Sequence, residues 1–493
     1  MISAVCWVPK GASKAEPVVA EPPTQEEIEE IIKTGALEKR EESDDEDDEN
    51  MEVDATKRVD EISHALTASN ALGKNSSNNF VDISDALKEL DMDHYDEEDD
   101  GVELFGAGLG DTYYPSNDVD PYLKDKDDDD DEEIEDLTIK PTDAVLVCAR
   151  NEDDVSHLEI YILEEESEDG NFNLYVHHDV ILPAFPLCTA WLDCNLKGGD
   201  RGNFIAVGSM EPTIEIWDLD LIDELQPFVV LGGVSEKKKK KKEGKKAVVK
   251  YKKDSHKDSV LGLSWNREVR NVLASASADH SVKVWDVVTG KCAITMEHHT
   301  DKVQSVAWNR RVPEVLLSGS FDRSVVMKDM RSPSHAGVRW SVSADVESLA
   351  WDPHVEHSFL VSLEDGMVQA FDIRAAASSS DSSSTKPSFV LHAHDKAVCS
   401  ISYNPSVANL LATGSTDKMV KLWDLSSNQP TCIASKNPKA GHVFSVAFSE
   451  DSPSYLAIGG DKGRLEVWDT MSEAGVARRF GRSNNAIVPE PTA

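Results

Sequence analysis

Long apolar runs are missing from this sequence. No stretch of about 18 uncharged apolar residues occurs in its 493 positions, which excludes a membrane-spanning helix. Met1 to Lys10 lacks a basic region followed by a long apolar run, so no secretory leader is expected. Cysteine is scarce: seven residues, an odd number, none in a C-x-x-C pair. That excludes a disulfide framework or zinc ribbon and fits reduced thiols in the cytosol or nucleus. Also missing are G-x-x-x-x-G-K-[ST], a G-x-G-x-x-G after a strand, H-E-x-x-H and any Cys/His set at zinc spacing. The Asp runs lack the alternating ligands and fixed glycine of a calcium loop. The expectation is a protein that is not an enzyme, with no cofactor and no metal.

Basic residues are outnumbered, 50 Lys and Arg against 92 Asp and Glu, for a net charge of −42. The imbalance is local. Residues 1–140 hold 43 acidic and 12 basic side chains, a net of −31; the other 353 hold 49 and 38, a net of −11. Like-charge blocks at 41–49, 96–100 and 127–133 repel themselves and bury nothing, so residues 10–142 are expected to form a disordered interaction segment. Two short helical patterns interrupt it. Thr24 with Glu27 reads as a capping box leading into Ile28, Ile31 and Ile32. Asp82 or Ser84 could cap a turn presenting Ile83, Leu87 and Leu90. Either is a transient helix or a helix that folds on a partner. Ser43, ahead of Asp44, Asp45 and Glu46, is a weak acid-directed phosphorylation candidate.

What the rest of the chain has is a repeat. Trp217-Asp218, Trp285-Asp286, Lys328-Asp329, Phe371-Asp372, Trp423-Asp424 and Trp468-Asp469 end β-branched runs at intervals of 68, 43, 43, 52 and 45 residues. A second aromatic series, Trp191, Trp265, Trp308, Trp351, Tyr403 and Phe448, has intervals of 74, 43, 43, 52 and 45. Two ladders sharing one irregular spacing imply a repeated unit with insertions. Each unit reads as short alternating strands, clearest at 260–265, 272–277, 281–285 and 291–295. Four strands in about 40–45 residues is the pattern of a WD40 β-propeller blade, which buries its faces only against neighbouring blades.

Six such pairs would give six blades, yet 144–149, 158–163 and 172–177 look like the last three strands of another. Ile2 to Val8 carries Trp7 where other units carry their first aromatic. The prediction is therefore an all-β, seven-bladed propeller over 143–482 whose first strand is residues 1–9, with the acidic segment inserted inside blade one. A C-terminal strand near Val476–Phe480 is expected at the ring closure, followed by a disordered tail, 483–493. A Lys-rich insertion spans 235–254 and a Ser-rich one 375–388.

A polar set recurs within the units: His256, Ser275, Asp279 and Trp285, then His394, Thr413, Asp417 and Trp423. His299, Ser318 and Asp322 repeat most of it, with Lys328 in place of Trp, while His442 stands six residues before Phe448 where the others stand nine. A carboxylate orienting an imidazole, with a hydroxyl bridging to an indole, satisfies buried polar groups. Recurrence argues against a catalytic triad, which needs one exposed nucleophile. Lys237, Lys238, Lys239, Lys240, Lys241, Lys242, Lys245 and Lys246 read as a nuclear import signal or a phosphate-directed patch. The acidic segment opposes nucleic acid and favours basic partners.

The tryptophan ladder, MISAVCWVPKG (1–11), SNDVDPY (116–122), YVHHD (175–179), NFIAVGSMEPTIEIWDLD (203–220) and the Lys insertion together resemble the periodic tryptophan protein 1 family of WD40 proteins. The resemblance implies a monomeric scaffold of the nucleus and nucleolus acting in ribosome biogenesis. Its implied partners are pre-60S assembly factors and pre-ribosomal particles. A link to histone H4, ribosomal-gene chromatin and rRNA transcription is implied too, and RNA contact is expected to be indirect. An alternative from another class is a substrate receptor of a cullin-RING ubiquitin ligase. Some such receptors carry W-D-x-R, and Lys328-Asp329-Met330-Arg331 and Phe371-Asp372-Ile373-Arg374 match all but the Trp, making Arg331 and Arg374 candidate adaptor contacts.

Overall fold

Alternating β-branched and small residues make nearly every structured segment a strand. The computed structural model describes residues 1–20, 138–152, 155–165, 172–199, 201–233, 251–332, 334–378, 386–427 and 429–481. The chain divides into two units, Met1–Pro22 with Asp131–Ala493, and Pro23–Asp130. The second lies outside the described residues, as do most of the expected acidic insertion (21–137) and its helical patterns.

The first unit is a seven-bladed propeller. Blade one pairs Ile2–Val8, Ala144–Glu152, Val155–Glu165 and Phe172–Leu182 in that order. Its first strand is separated from its second by more than 130 residues of sequence, yet Val5 pairs with Cys148 and Trp7 with Leu146. Blades two to six are four-stranded too, with inner strands Pro186–Leu192, Val260–Trp265, Val303–Trp308, Val346–Trp351 and Ser400–Tyr403. Among the described residues blade seven has three strands: Val443–Phe448, Tyr455–Gly460 and Glu466–Asp469.

The blades meet through repeated contacts, and the seam between blades seven and one uses the same ones. A Cβ on Gly319 would lie 2.5 Å from Val346 Cγ1, and one on Gly414 2.7 Å from Val443 Cγ1; on Gly459 it would lie 2.5 Å from Ile2 Cγ2. These glycines let the first residue of the next inner strand approach their backbone. Leu349 N–H donates to Ser305 Oγ and Val446 N–H to Ser400 Oγ, and Val5 N–H likewise donates to Ser445 Oγ at 3.2 Å. The indoles follow suit: Trp308 Nε1 to Ser264 O and Trp351 Nε1 to Ala307 O, both 3.1 Å, and Trp7 Nε1 to Ala447 O at 2.9 Å. The ring therefore closes by the chemistry that joins any two blades.

Two boundaries differ from expectation. The ordered chain does not stop near residue 9. Val18–Val19 pairs in parallel with Leu221–Ile222, and Ile139 N–H returns to Ala15 O, strapping both ends of the insertion to blade two. The segment Val476–Phe480 is not a strand at the closure. It belongs to a helix, Ala474–Phe480, whose Val476 is fully buried against blades six and seven. Ala and Arg at four of its seven positions favour helix, and Val476 and Phe480, four apart, share the covered face. Arg479 pairs with the buried Asp424, the cation lying in the last turn where the helix dipole favours it.

Candidate binding surfaces

The recurring polar sets form inside the blades. Trp285 Nε1 donates to Ser275 Oγ at 2.8 Å, Ser275 Oγ lies 2.7 Å from His256 Nε2, and His256 Nδ1 lies 3.1 Å from Asp279 Oδ2. An indole N–H only donates. Ser275, having accepted it, gives its proton to Nε2, which leaves Nδ1–H to face the carboxylate. Blade six repeats the relay with Trp423 to Thr413 at 3.0 Å, and His394 to Thr413 and Asp417 at 2.8 Å each. Burial lowers the pKa of both imidazoles. Asp279 is held well below the usual carboxylate range: hydrogen bonds from His256, Ser281 and Lys257 N–H outweigh its burial. Ser275 and His256 are sealed from solvent, so this trio cannot reach a substrate. It locks the strands of a blade together.

Blade four solves the loss of its indole locally. His299 bonds Asp322 and Ser318, each at 2.9 Å, and His298 Nε2 lies 2.9 Å from the same Ser318 oxygen. His298 thus donates where the indole donates elsewhere, and burial beside His299 pushes its pKa down to about 3. Lys328 reaches away to His335 O at 2.5 Å. The His-His doublet was the sequence signal for this exchange. In blade seven His442 and Asp461 form a partly exposed pair at 3.4 Å, as the shortened spacing requires.

Blade two has no such histidine, and Trp217 Nε1 instead donates to Glu215 Oε2 at 3.2 Å. Burial, with Glu211 nearby, pushes the Glu215 carboxyl up to about 7. A raised acid pKa costs the fold stability as pH rises from the unfolded value through 7. Glu215→Gln keeps the acceptor without the charge. Its stability relative to the parent should therefore increase by about 1–2 kcal/mol between pH 5 and pH 8. Parallel urea titrations at the two pH values check this; a difference independent of pH would refute it.

Two faces remain for partners. Where the inner strands end, a cavity of ≈ 320 Å³ opens among Trp7, Trp191, Trp265, Trp308 and Phe448. At its mouth Glu450 accepts from Arg267 and, at 2.8 Å, from Arg310. These charges escaped the sequence reading, although each stands two residues after a ladder aromatic. Arg331, in the turn after the third strand of blade four, and Arg374, in the short helix after that of blade five, are exposed and each held at 2.6 Å by the Asp two residues before it. The described chain stops at Gly233, after the outer strand of blade two, and resumes at Tyr251. Lys237–Lys242, Lys245 and Lys246 lie outside the described residues, as does Ser43. Among the described residues no three His, Cys, Asp or Glu side chains converge as metal ligands, and no helix is long and apolar enough to cross a membrane.

Comparison with known proteins agrees with the repeat. Residues 385–424 match the family "WD domain, G-beta repeat", and 240–311 match "Anaphase-promoting complex subunit 4 WD40 domain". The chain is 42% identical to an uncharacterized WD repeat-containing protein of Schizosaccharomyces pombe over 81% of its own length and 76% of the relative's. It is 32% identical to Periodic tryptophan protein 1 of Saccharomyces cerevisiae, covering 97% of this chain and 90% of the relative. It is 30% identical to the Periodic tryptophan protein 1 homolog of Drosophila melanogaster over 97% and 96%.

Proposed function

Because the chain belongs to the periodic tryptophan protein 1 family of WD40 proteins, we propose that it is a non-enzymatic nucleolar scaffold for assembling the large ribosomal subunit. The observation that carries this is the near full-length match to that family, acidic insertion included, on a closed propeller whose buried relays serve architecture. A rigid ring with two faces and a strapped acidic insertion suits the holding of several partners at once. The −31 charge of residues 1–140 attracts basic proteins, ribosomal proteins and histone H4 among them, and repels RNA phosphates. RNA contact is therefore indirect, through pre-60S assembly factors. The Lys-rich insertion carries the protein into the nucleus.

Affinity purification of the full-length protein from nuclear extract should enrich large-subunit assembly factors and precursor rRNA over an unrelated propeller. Recovery of neither these nor histones would defeat the reading. Changing Lys237–Lys242, Lys245 and Lys246 together to Gln should abolish nuclear accumulation by fluorescence microscopy while leaving the melting temperature unchanged. Retained accumulation would remove the Lys run from the import role.

The matching poses of Arg331 and Arg374 on neighbouring blades favour one second reading, a cullin-RING substrate receptor. Ligase-adaptor binding that is lost on Arg374→Ala would support it over the scaffold.

A further inference from the structure

Inner strands of several blades end around one mouth, and three of the loops that follow them are tied across it. Arg267, Arg310 and Glu450 each stand two residues after the aromatic that ends an inner strand, in blades three, four and seven. Blade seven packs on blades six and one, not on three or four, so the tie crosses the mouth instead of joining neighbours. Glu450 Oε2 accepts from Arg267 Nη1, and Oε1 from Arg310 Nη2 at 2.8 Å. Arg310 and Glu450 line both the cavity of ≈ 320 Å³ and a second of ≈ 290 Å³ that reaches Trp351 and Tyr403. The bridge is a bar between two lobes. All three side chains are partly exposed, 31–47%, so solvent screens the bar and it opens at little cost.

Walls and bar differ in chemistry. The indole N–H groups of Trp7, Trp191, Trp265, Trp308 and Trp351 are all spent inside the protein, four on backbone carbonyls and Trp191 on Asn203 Oδ1. These rings therefore offer only carbon. The bar offers positive charge. Two guanidiniums with five donors each share one carboxylate, and among the described residues neither has another partner. Burial and the Arg267 charge push the Arg310 pKa down, while Glu450 pulls it up. The other lining carboxylates stand apart from the pair: Asp451 accepts Lys10 N–H at 2.7 Å, and Glu268 is exposed with no ion pair among the described residues. An added anion would make two charges of each sign at the bar; an added cation would make three against one.

We infer that the mouth docks an acidic segment of a partner protein. A carboxylate side chain of that segment joins Glu450 on Arg267 and Arg310, and an adjoining large apolar side chain enters a lobe. This is a second class of partner, beside the basic proteins drawn to the acidic insertion. The net charge of −42 does not forbid it, because at physiological salt exposed charges are screened beyond about 8 Å. Inside that range the guanidinium pair decides. At ≈ 320 Å³ the larger lobe lies near the small end of ligand pockets, about 300–1,000 Å³, so it takes a side chain or two and not a domain.

The probes are acetylated, amidated tripeptides, Leu-Phe-Glu with Leu-Phe-Gln and Leu-Phe-Lys as counterparts, titrated into the full-length protein and followed by tryptophan emission. Leu-Phe-Glu should bind the parent about tenfold more tightly than Leu-Phe-Gln. Arg310→Gln should erase that preference by weakening the Glu peptide alone. Glu450→Gln keeps an acceptor for the arginines and removes a like charge beside the ligand, so it should tighten the Glu peptide by about tenfold. It should leave the Gln peptide unchanged. Urea midpoints equal to the parent's would show that both variants fold. Equal binding of the Glu and Gln peptides, or of none, would overturn the proposal. So would a preference for Leu-Phe-Lys that Glu450→Gln abolishes, which would give the mouth to a cationic side chain instead.

Discussion

Ile2→Ala is expected to destabilise the full-length protein by about 2–5 kcal/mol, the range for a truncated, fully buried Ile. Ile2 is 0% exposed and packs on Gly459 at the seam between blades seven and one. The seam is stitched by the bonds from Val5 N–H to Ser445 and from Trp7 to Ala447, and the Ile2–Val8 strand is shared by the cores on both sides of it. Loss of the γ and δ carbons leaves a cavity at the one junction where the chain's first strand must hold against its last blade. The measurement is urea unfolding followed by tryptophan emission, with amide exchange to locate the opening. Exchange should rise first in Ile2–Val8 and Val443–Phe448. A change below about 0.5 kcal/mol, the level of an ordinary surface substitution, would mean that this strand does not close the ring.

Ser275→Ala removes one oxygen and strands two partners. Trp285 N–H loses its acceptor and His256 Nε2 its donor, in a site sealed from water. At about 1–3 kcal/mol for each buried polar group left unpaired, the expected loss is roughly 2–4 kcal/mol. Ser275→Thr should recover most of it, since blade six runs the same relay through Thr413. If the Ala and Thr variants unfold alike, the hydroxyl is not the link.

Much of this architecture was legible in the sequence because its signals are local. A strand's alternation and the Trp-Asp punctuation recur every 43 to 52 residues outside the interval that holds the Lys-rich insertion, and the hydroxyl, imidazole and carboxylate of a relay keep fixed offsets within a blade. Trp7 could be assigned for the same reason: it stands in its strand as the other ladder aromatics do. The helix Ala474–Phe480 was missed because a short segment with two apolar residues carries little periodicity, and its choice depends on a groove between two blades. The strap of residues 10–20 was missed because Val18–Val19 is held by Leu221–Ile222 of another blade. A two-residue ladder has no pattern of its own. Glu450 between Arg267 and Arg310 joins residues more than 130 positions apart in sequence.

By itself the sequence determined the number of blades, the aromatic that marks the inner strand of each and the division between an acidic insertion and a β-rich body. Each of these follows from composition or from period, which a chain carries without folding. Only the tertiary structure decided that His298 takes over for a missing indole and that Glu215 stands in where blade two has no histidine. Those outcomes depend on which side chains meet across strands and blades, and burial then sets their protonation and their partners.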